Sequence, residues 1–137
     1  MLTDLIHARL RRRRTALSGE RGFESAEAAI FLPFLLLTIL AIVQGGIWYH
    51  STNLVQAAAS NSYNAASLYG ASSSDGISAG QATAAQVGSV LTDVRVEVTR
   101  TATEVVATVT ATAPSLIPGV TSEVTKTVTG PTERWVP

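Results

Sequence analysis

The side chains that could do chemistry are few in this sequence, and they do not cluster. The chain of 137 residues has no cysteine, which excludes disulfides, thiolate metal sites and cysteine nucleophiles. His7 and His50 stand far apart, and neither has a clustered carboxylate nearby that would complete a metal site. The many serines and threonines have no adjacent base, and no glycine-rich phosphate loop is present. The sequence therefore predicts neither an enzyme nor a protein that holds a metal or cofactor.

One carboxylate nevertheless stands at an unusual place. Glu27 directly precedes a charge-free apolar stretch that runs from Ala28 to Tyr49. A charge near the hydrocarbon of a bilayer costs a few kcal/mol unless it is paired. Two interpretations follow: the Glu27 carboxylate pairs with a cation, or it snorkels to the lipid headgroups at the end of the helix.

The apolar stretch predicts a transmembrane helix over residues 23–49. Thr38 and Gln44 are its only clearly polar side chains. At about 1.5 Å per residue the stretch spans roughly 33 Å, which matches a bilayer core. Trp48 and Tyr49 close it with the aromatic side chains that favour a membrane interface. The composition agrees, with 46% hydrophobic residues, 15% charged residues and a mean hydropathy of +0.26.

The formal net charge of zero hides a basic N-terminal leader, residues 1–22. Against Asp4 and Glu20, this leader carries six arginines: Arg9, Arg11, Arg12, Arg13, Arg14 and Arg21. The positive-inside rule then predicts a cytoplasmic leader and an extracytoplasmic C-terminal body. A role in topology explains the arginine run better than nucleic-acid binding does, so no nucleic-acid partner is predicted.

Two other interpretations of the apolar stretch are weaker. A buried core helix would need more apolar partner residues than the rest of the chain supplies. A cleaved secretory signal would use Ala57-Ala58-Ala59 and release residues 60–137. That site lies about ten residues beyond an apolar run that is itself longer than an ordinary signal-peptide core.

The residues around Gly22 resemble the class III signal of type IV prepilins and their relatives. The basic leader ends at Gly22, Phe23 follows, and Glu27 is the fifth residue after the glycine. The resemblance implies that a membrane-embedded prepilin peptidase cuts between Gly22 and Phe23 and that the hydrophobic helix is kept. It also implies that Glu27 pairs with the N-terminus of an adjacent subunit and sets the axial register.

The longer segment from Gly22 to Ala66 resembles the TadE-like proteins of tight-adherence (Tad, or Flp) pilus systems. Leu32-Pro33 follows Glu27 at the family's spacing, and a run of leucines follows the proline. Gln44 stands where the family shows a glutamate, and Val55-Gln56 precedes paired alanines. The resemblance implies a minor pilin or pseudopilin, because the major pilins of these systems are much smaller.

The first helix is predicted to leave the membrane and to continue over residues 50–70. Neither proline nor glycine interrupts the chain from Ile47 to Leu68, and Leu54, Ala58, Ala65 and Leu68 fall on one face. Pro33 is expected to kink the helix because proline removes one backbone hydrogen bond. Gly45 and Gly46 form either a second flexible point or a close-packing site between helices.

Residues 71–137 are predicted to form a small extracytoplasmic domain. Residues 70–76 are expected to be a turn, and Ile77 to Leu91 a second helix. From Val94 onward the chain is rich in valine and threonine, and small apolar residues largely alternate with polar ones. This pattern predicts three strands, the last over Val120 to Thr129. The predicted fold is therefore α+β, with a small antiparallel sheet on two helices. A threonine-rich extracellular stalk is the alternative.

Two functions remain at this point. The first is a minor pilin-like component of a Tad pilus machine, whose partners are the membrane, a prepilin peptidase and other pilin-like subunits. Such machines serve adhesion, DNA uptake or secretion. The second is an uncleaved single-pass anchor that presents a small binding domain at the cell surface. The second function leaves the spacing of Gly22, Phe23 and Glu27 as a coincidence.

Overall fold

The computed structural model describes residues 21–86 and 88–134. The predicted leader therefore lies outside the described residues, apart from Arg21 and Gly22. The elements in chain order are helix α1, helix α2, a short 3₁₀ turn and strands β1 to β3. Their bounds are Arg21–Ser67, Ser73–Gln86, Gly88–Val90, Thr92–Arg100, Glu104–Ala113 and Ser122–Pro131. The predicted α+β architecture is confirmed.

Helix α1 runs without a break through Pro33 and ends at Ser67, three residues before the predicted end at residue 70. Within the described residues it is the one helix that is long and apolar enough to cross a membrane, with a mean hydropathy of 2.3 in its most apolar window. The chain divides between Ala41 and Ile42 into two compact units. In the first unit, every described side chain from Glu27 to Ala41 is exposed.

In the second unit, α1 buries a face of small residues against the sheet domain. The buried positions follow helical spacing and are Ser51, Val55, Ala58, Ala59, Ser62, Ala66 and Ser67. Of the predicted face, Ala58 is buried, Leu54 and Ala65 are half-buried, and Leu68 is 52% exposed. Leu54 packs against the core, so the prediction fails at Leu68. Small side chains lie at the points of closest approach, so hydrophobicity alone does not select the buried face.

The three strands form one antiparallel sheet in the order β1-β2-β3. Val96 pairs with Val109, and Ala107 pairs with Val128, so the valines and alanines of neighbouring strands share one face. Along β2 the buried positions alternate strictly from Val105 to Ala113, as the period of two predicts. The threonine-rich segment is therefore a sheet, and the stalk interpretation is wrong.

The opposite face of the sheet is covered by threonines that pair across strands. The Oγ1 atoms of Thr108 and Thr127 lie 3.0 Å apart, as do those of Thr110 and Thr125. Cross-strand hydroxyl pairs of this kind stabilise a sheet by a fraction of a kcal/mol each. Threonine thus supplies both the β-branched backbone preference and the polarity that a solvated face needs.

Helix α2 begins at Ser73, four residues before the predicted start at Ile77. The segment 70–76, expected to be a turn, contains the N-terminal cap and the first turn of this helix. The backbone N–H of Ser72 donates to Asp75 Oδ2 over 2.7 Å, and the Asp75 N–H donates to Ser72 Oγ over 3.4 Å. This reciprocal pair is a capping box with aspartate in place of glutamate. Helix α2 also ends at Gln86, before the predicted Leu91.

Replacing Ser72 with alanine is expected to lower the free energy of unfolding by about 1 kcal/mol, since an N-terminal cap is worth that much. Urea unfolding of the full-length chain in detergent micelles, followed by circular dichroism, measures it. Ser73→Ala is the matched control, because its hydroxyl makes no hydrogen bond within the described part of the chain. An equal loss in both variants would contradict the capping role.

The stabilisation that this cap provides is expected to depend on pH. The side-chain hydrogen bond from Ser72, with the backbone one beside it, holds the pKa of Asp75 below its ordinary value of 3.8. A carboxylate whose pKa is lower in the folded than in the unfolded state stabilises the fold above its unfolded pKa, and that stabilisation fades as the pH falls. The stability difference between Ser72→Ala and the parent chain is therefore expected to shrink below pH 3.8.

Candidate functional site

The proposed processing residues lie in the first turns of α1. Gly22 and Phe23 follow the first residue of the helix, Arg21, and Glu27 stands four positions after Phe23. Residues four apart lie on the same side of a helix, about 6 Å apart along its axis. The Cα–Cβ bond of a helical residue tilts toward the N-terminus, so the exposed Glu27 side chain starts out in the direction of Phe23.

After Glu27, α1 exposes large apolar side chains on all its sides. Phe31, Leu32, Phe34 and Leu35 occupy adjacent positions around the helix, and each is more than half exposed, from 58% to 68%. The Thr38 hydroxyl donates to the Phe34 carbonyl oxygen over 2.8 Å, so this polar group is satisfied within the helix. A helix that is apolar all round and internally satisfied suits lipid or the packed helices of other subunits.

The other predicted packing residues are Pro33, Gly45 and Gly46. Pro33 stands inside the continuous helix. A Cβ atom built on Gly45 or on Gly46 has no neighbour within 4 Å. The role of these glycines in packing, and of Pro33 in kinking the helix, stays a prediction, and both glycines leave their side of the helix open to another molecule.

Gln44 is a site residue to which the sequence assigned no partner, although it is one of two clearly polar side chains in the apolar stretch. Its Oε1 accepts a 2.8 Å hydrogen bond from the Leu116 N–H, and its Nε2 donates to the Pro114 carbonyl oxygen over 3.4 Å. The side-chain amide thus joins α1 to the loop between β2 and β3. A lone amide inside an apolar stretch was the available signal, because such a group needs polar partners.

The C-terminal end of α1 is fixed to the sheet as well. Arg100 of β1 donates through one nitrogen to the carbonyl oxygens of Ala66 and Leu68, and the Glu133 N–H donates to the Ser67 carbonyl over 2.8 Å. The last carbonyls of a helix lack partners inside it and carry partial negative charge, so these donors are favourable. From Gln44 to Ser67, α1 is therefore an integral part of the sheet domain.

Comparison with known proteins adds one match. No curated protein and no solved structure matches the chain. Residues 22–62 match the family model described as "TadE-like protein". The match begins at Gly22 and includes Glu27, Leu32-Pro33 and Val55-Gln56, on which the resemblance was predicted. It ends within the part of α1 that packs on the sheet. The matched residues form most of α1 and cover less than a third of the 137-residue chain, and in this segment the chain is similar to that family.

Proposed function

We propose that this chain is a minor pilin or pseudopilin of a Tad pilus biogenesis machine, cut after Gly22 and assembled through α1. The TadE-like segment associates the chain with Tad pilus systems. The observation that carries the proposed cleavage after Gly22 is where the TadE-like segment begins. It begins at Gly22, directly before Phe23, and Glu27 lies one helical turn after Phe23.

The exposed half of α1 supports assembly by helix–helix packing. Its apolar side chains need a nonaqueous partner, which is lipid before assembly and the helices of neighbouring subunits afterwards. Gly45 and Gly46 leave room for another backbone to approach, because nothing lies within 4 Å of either position. The same helix therefore serves first as an anchor and then as the assembly element.

The expected topology follows from charge. The arginine-rich leader stays in the cytoplasm, where the peptidase cuts it, and the sheet domain lies on the other side of the membrane. There the domain contacts other pilin-like subunits. Its threonine-covered face suits this aqueous side, since the hydroxyl pairs of Thr108–Thr127 and Thr110–Thr125 tolerate water.

Intact-mass measurement and N-terminal peptide mapping of the chain from its native membrane test this proposal. The expected mature chain starts at Phe23, and Gly22→Asp is expected to keep the leader, because the glycine lies at the scissile bond. Gly70→Asp, in the turn after α1, is the control and should be processed normally.

Other starting residues would contradict the proposal. A wild-type chain that keeps its arginine leader is an uncleaved single-pass anchor. A chain that starts near Ser60 is a secreted domain, since cleavage at Ala57-Ala58-Ala59 removes the apolar stretch.

A further inference from the structure

The loop that joins β2 to β3 exposes large apolar side chains. Residues 114–120, here called the apolar loop, read Pro-Ser-Leu-Ile-Pro-Gly-Val, and Leu116, Ile117 and Val120 are 47%, 44% and 48% exposed. No charged residue occurs from Val105 to Ser122. A loop facing water would ordinarily carry polar side chains, so this composition indicates a nonaqueous neighbour.

The hydrogen bonds to Gln44 fix the level of the apolar loop along α1. Gln44 belongs to the charge-free stretch that ends at Tyr49 and precedes Trp48 by four residues, or about 6 Å of helix. Trp and Tyr mark the interface of a membrane-spanning helix. The backbone of Pro114 and Leu116, which Gln44 holds, therefore lies on the membrane side of that aromatic pair.

At five of the seven positions of the apolar loop, the backbone leaves no N–H without a partner. Pro114 and Pro118 have no N–H to satisfy. The Leu116 N–H donates to Gln44, and the Ile117 N–H donates to Ser115 Oγ. The Val120 N–H donates to the Ile117 carbonyl, which also accepts from the Ser115 hydroxyl. Irregular backbone enters the edge of a membrane only where its polar groups find such partners.

We propose that the apolar loop inserts into the bilayer leaflet from which α1 emerges and forms a second membrane contact of the sheet domain. The bound partner is lipid at the boundary between headgroups and acyl chains, reached by Leu116, Ile117 and Val120. Gln44 is the tether that holds the loop at this depth. The inference uses the membrane anchoring of α1 but is independent of processing after Gly22.

The absence of cysteine makes the test direct, because a single introduced cysteine can be labelled specifically. The full-length chain is reconstituted in phosphatidylcholine–phosphatidylglycerol vesicles at low protein density. An environment-sensitive fluorophore is attached at Leu116→Cys, at Ile42→Cys within the membrane helix, or at Thr127→Cys on the threonine face. Quenching by spin-labelled lipids is then compared among the three. Lipid quenching at Leu116→Cys is expected to exceed that at Thr127→Cys severalfold, because an inserted loop lies at the boundary between headgroups and acyl chains and the threonine face lies in water.

The outcomes separate this inference from the proposed function. Quenching at Ile42→Cys without quenching at Leu116→Cys would leave α1 in the membrane and overturn loop insertion. Absence of quenching at Ile42→Cys would overturn the membrane anchor itself, and loop insertion with it. Shielding of Leu116→Cys that requires high protein density, without lipid quenching, would assign the apolar loop to contacts between copies of the chain and overturn the proposal.

A second variant tests the tether. Gln44→Leu in the Leu116→Cys background is expected to reduce the lipid quenching severalfold, because both hydrogen bonds to the loop are lost. Gln56→Leu, on the exposed side of α1, is the matched control and should leave the quenching unchanged. Undiminished quenching in Gln44→Leu would overturn the role of Gln44 as the tether.

Discussion

Gly76→Ala is expected to lower the free energy of unfolding of the sheet domain by about 2 kcal/mol, within the usual range for overpacking. A Cβ atom at this buried position would lie 2.8 Å from both the Ala66 Cβ and the Ser62 carbonyl oxygen, and 3.2 Å from Val98 Cγ1. The first two atoms belong to the framework of α1 and cannot rotate away. Alanine gains up to about 1 kcal/mol over glycine in a helix, which does not offset this clash.

Gly80→Ala provides the comparison, since the gain in helix propensity is the same. A Cβ there would overlap the Ser62 hydroxyl oxygen and lie 2.9 Å from Val96 Cγ1. The principal obstacle is therefore a single removable atom. Ser62→Ala is expected to recover most of the stability lost in Gly80→Ala but none of that lost in Gly76→Ala, whose obstacles remain.

Ser62→Ala alone is expected to be neutral or slightly stabilising. Its hydroxyl is buried and has no hydrogen-bond partner in the described part of the chain, and such a group costs about 1–3 kcal/mol. Urea unfolding of the full-length variants in micelles gives all the free energies needed for the double-mutant cycles. Equal rescue of both glycine variants by Ser62→Ala would contradict the assignment of different obstacles to Gly76 and Gly80.

These two glycines also show where sequence reasoning reached its limit in the fold. Glycine lowers the helix propensity of a segment, and Gly76 was assigned to the predicted turn over residues 70–76. In the structure both glycines, with Ala84, form the buried face of α2. The missing Cβ is what permits the contact, and only the position of Ser62 and Ala66 in space reveals it.

Elements whose burial follows a regular period were predicted from the sequence. Valine alternates with polar residues in β1, and apolar residues alternate mostly with threonine in β2; both patterns predicted strands of the sheet. The apolar stretch likewise gave α1, since length and hydropathy suffice for such a helix. Periodic patterns of this kind show from the sequence alone which side of an element is buried or faces lipid.

The candidate site also has a part that could be predicted from the sequence and a part that could not. Gly22, Phe23 and Glu27 could be proposed from the sequence because they are near one another in the chain, and they fall within two turns of one helix; their roles stay predictions. The pairing of Gln44 with Leu116 was missed because 72 residues separate the two. A single sequence contains no signal that joins a lone amide to one particular loop backbone.

Glu27→Ala is expected to leave membrane insertion intact and to reduce pilus assembly by about tenfold or more, since removing one partner of a desolvated charge pair costs roughly 2–5 kcal/mol. Insertion depends on the apolar stretch after Glu27, which the substitution does not touch. Assembly, in the proposed function, depends on pairing of the carboxylate with the Phe23 amino group that processing creates.

The geometry of one helix explains why a neighbouring subunit is the better partner for that carboxylate. Within one chain, Phe23 and Glu27 are a turn apart, so the pair would form without any assembly and would fix no register. Between chains, the same pair allows one axial offset, and other offsets leave a carboxylate unpaired in an apolar environment. Glu27→Gln keeps the size and a hydrogen bond but loses the charge, so it is expected to assemble nearly as poorly as Glu27→Ala.

Glu24→Ala is the matched control, because Glu24 is the other acidic residue between the leader and the apolar stretch. Pili per cell are counted by electron microscopy, and extraction with carbonate measures how much of each variant remains in the membrane. Assembly at the wild-type level in Glu27→Ala, or an equal loss in Glu24→Ala, would contradict a role in register. In that case Glu27 is a carboxylate that snorkels to the headgroups, and the apolar helix alone directs assembly.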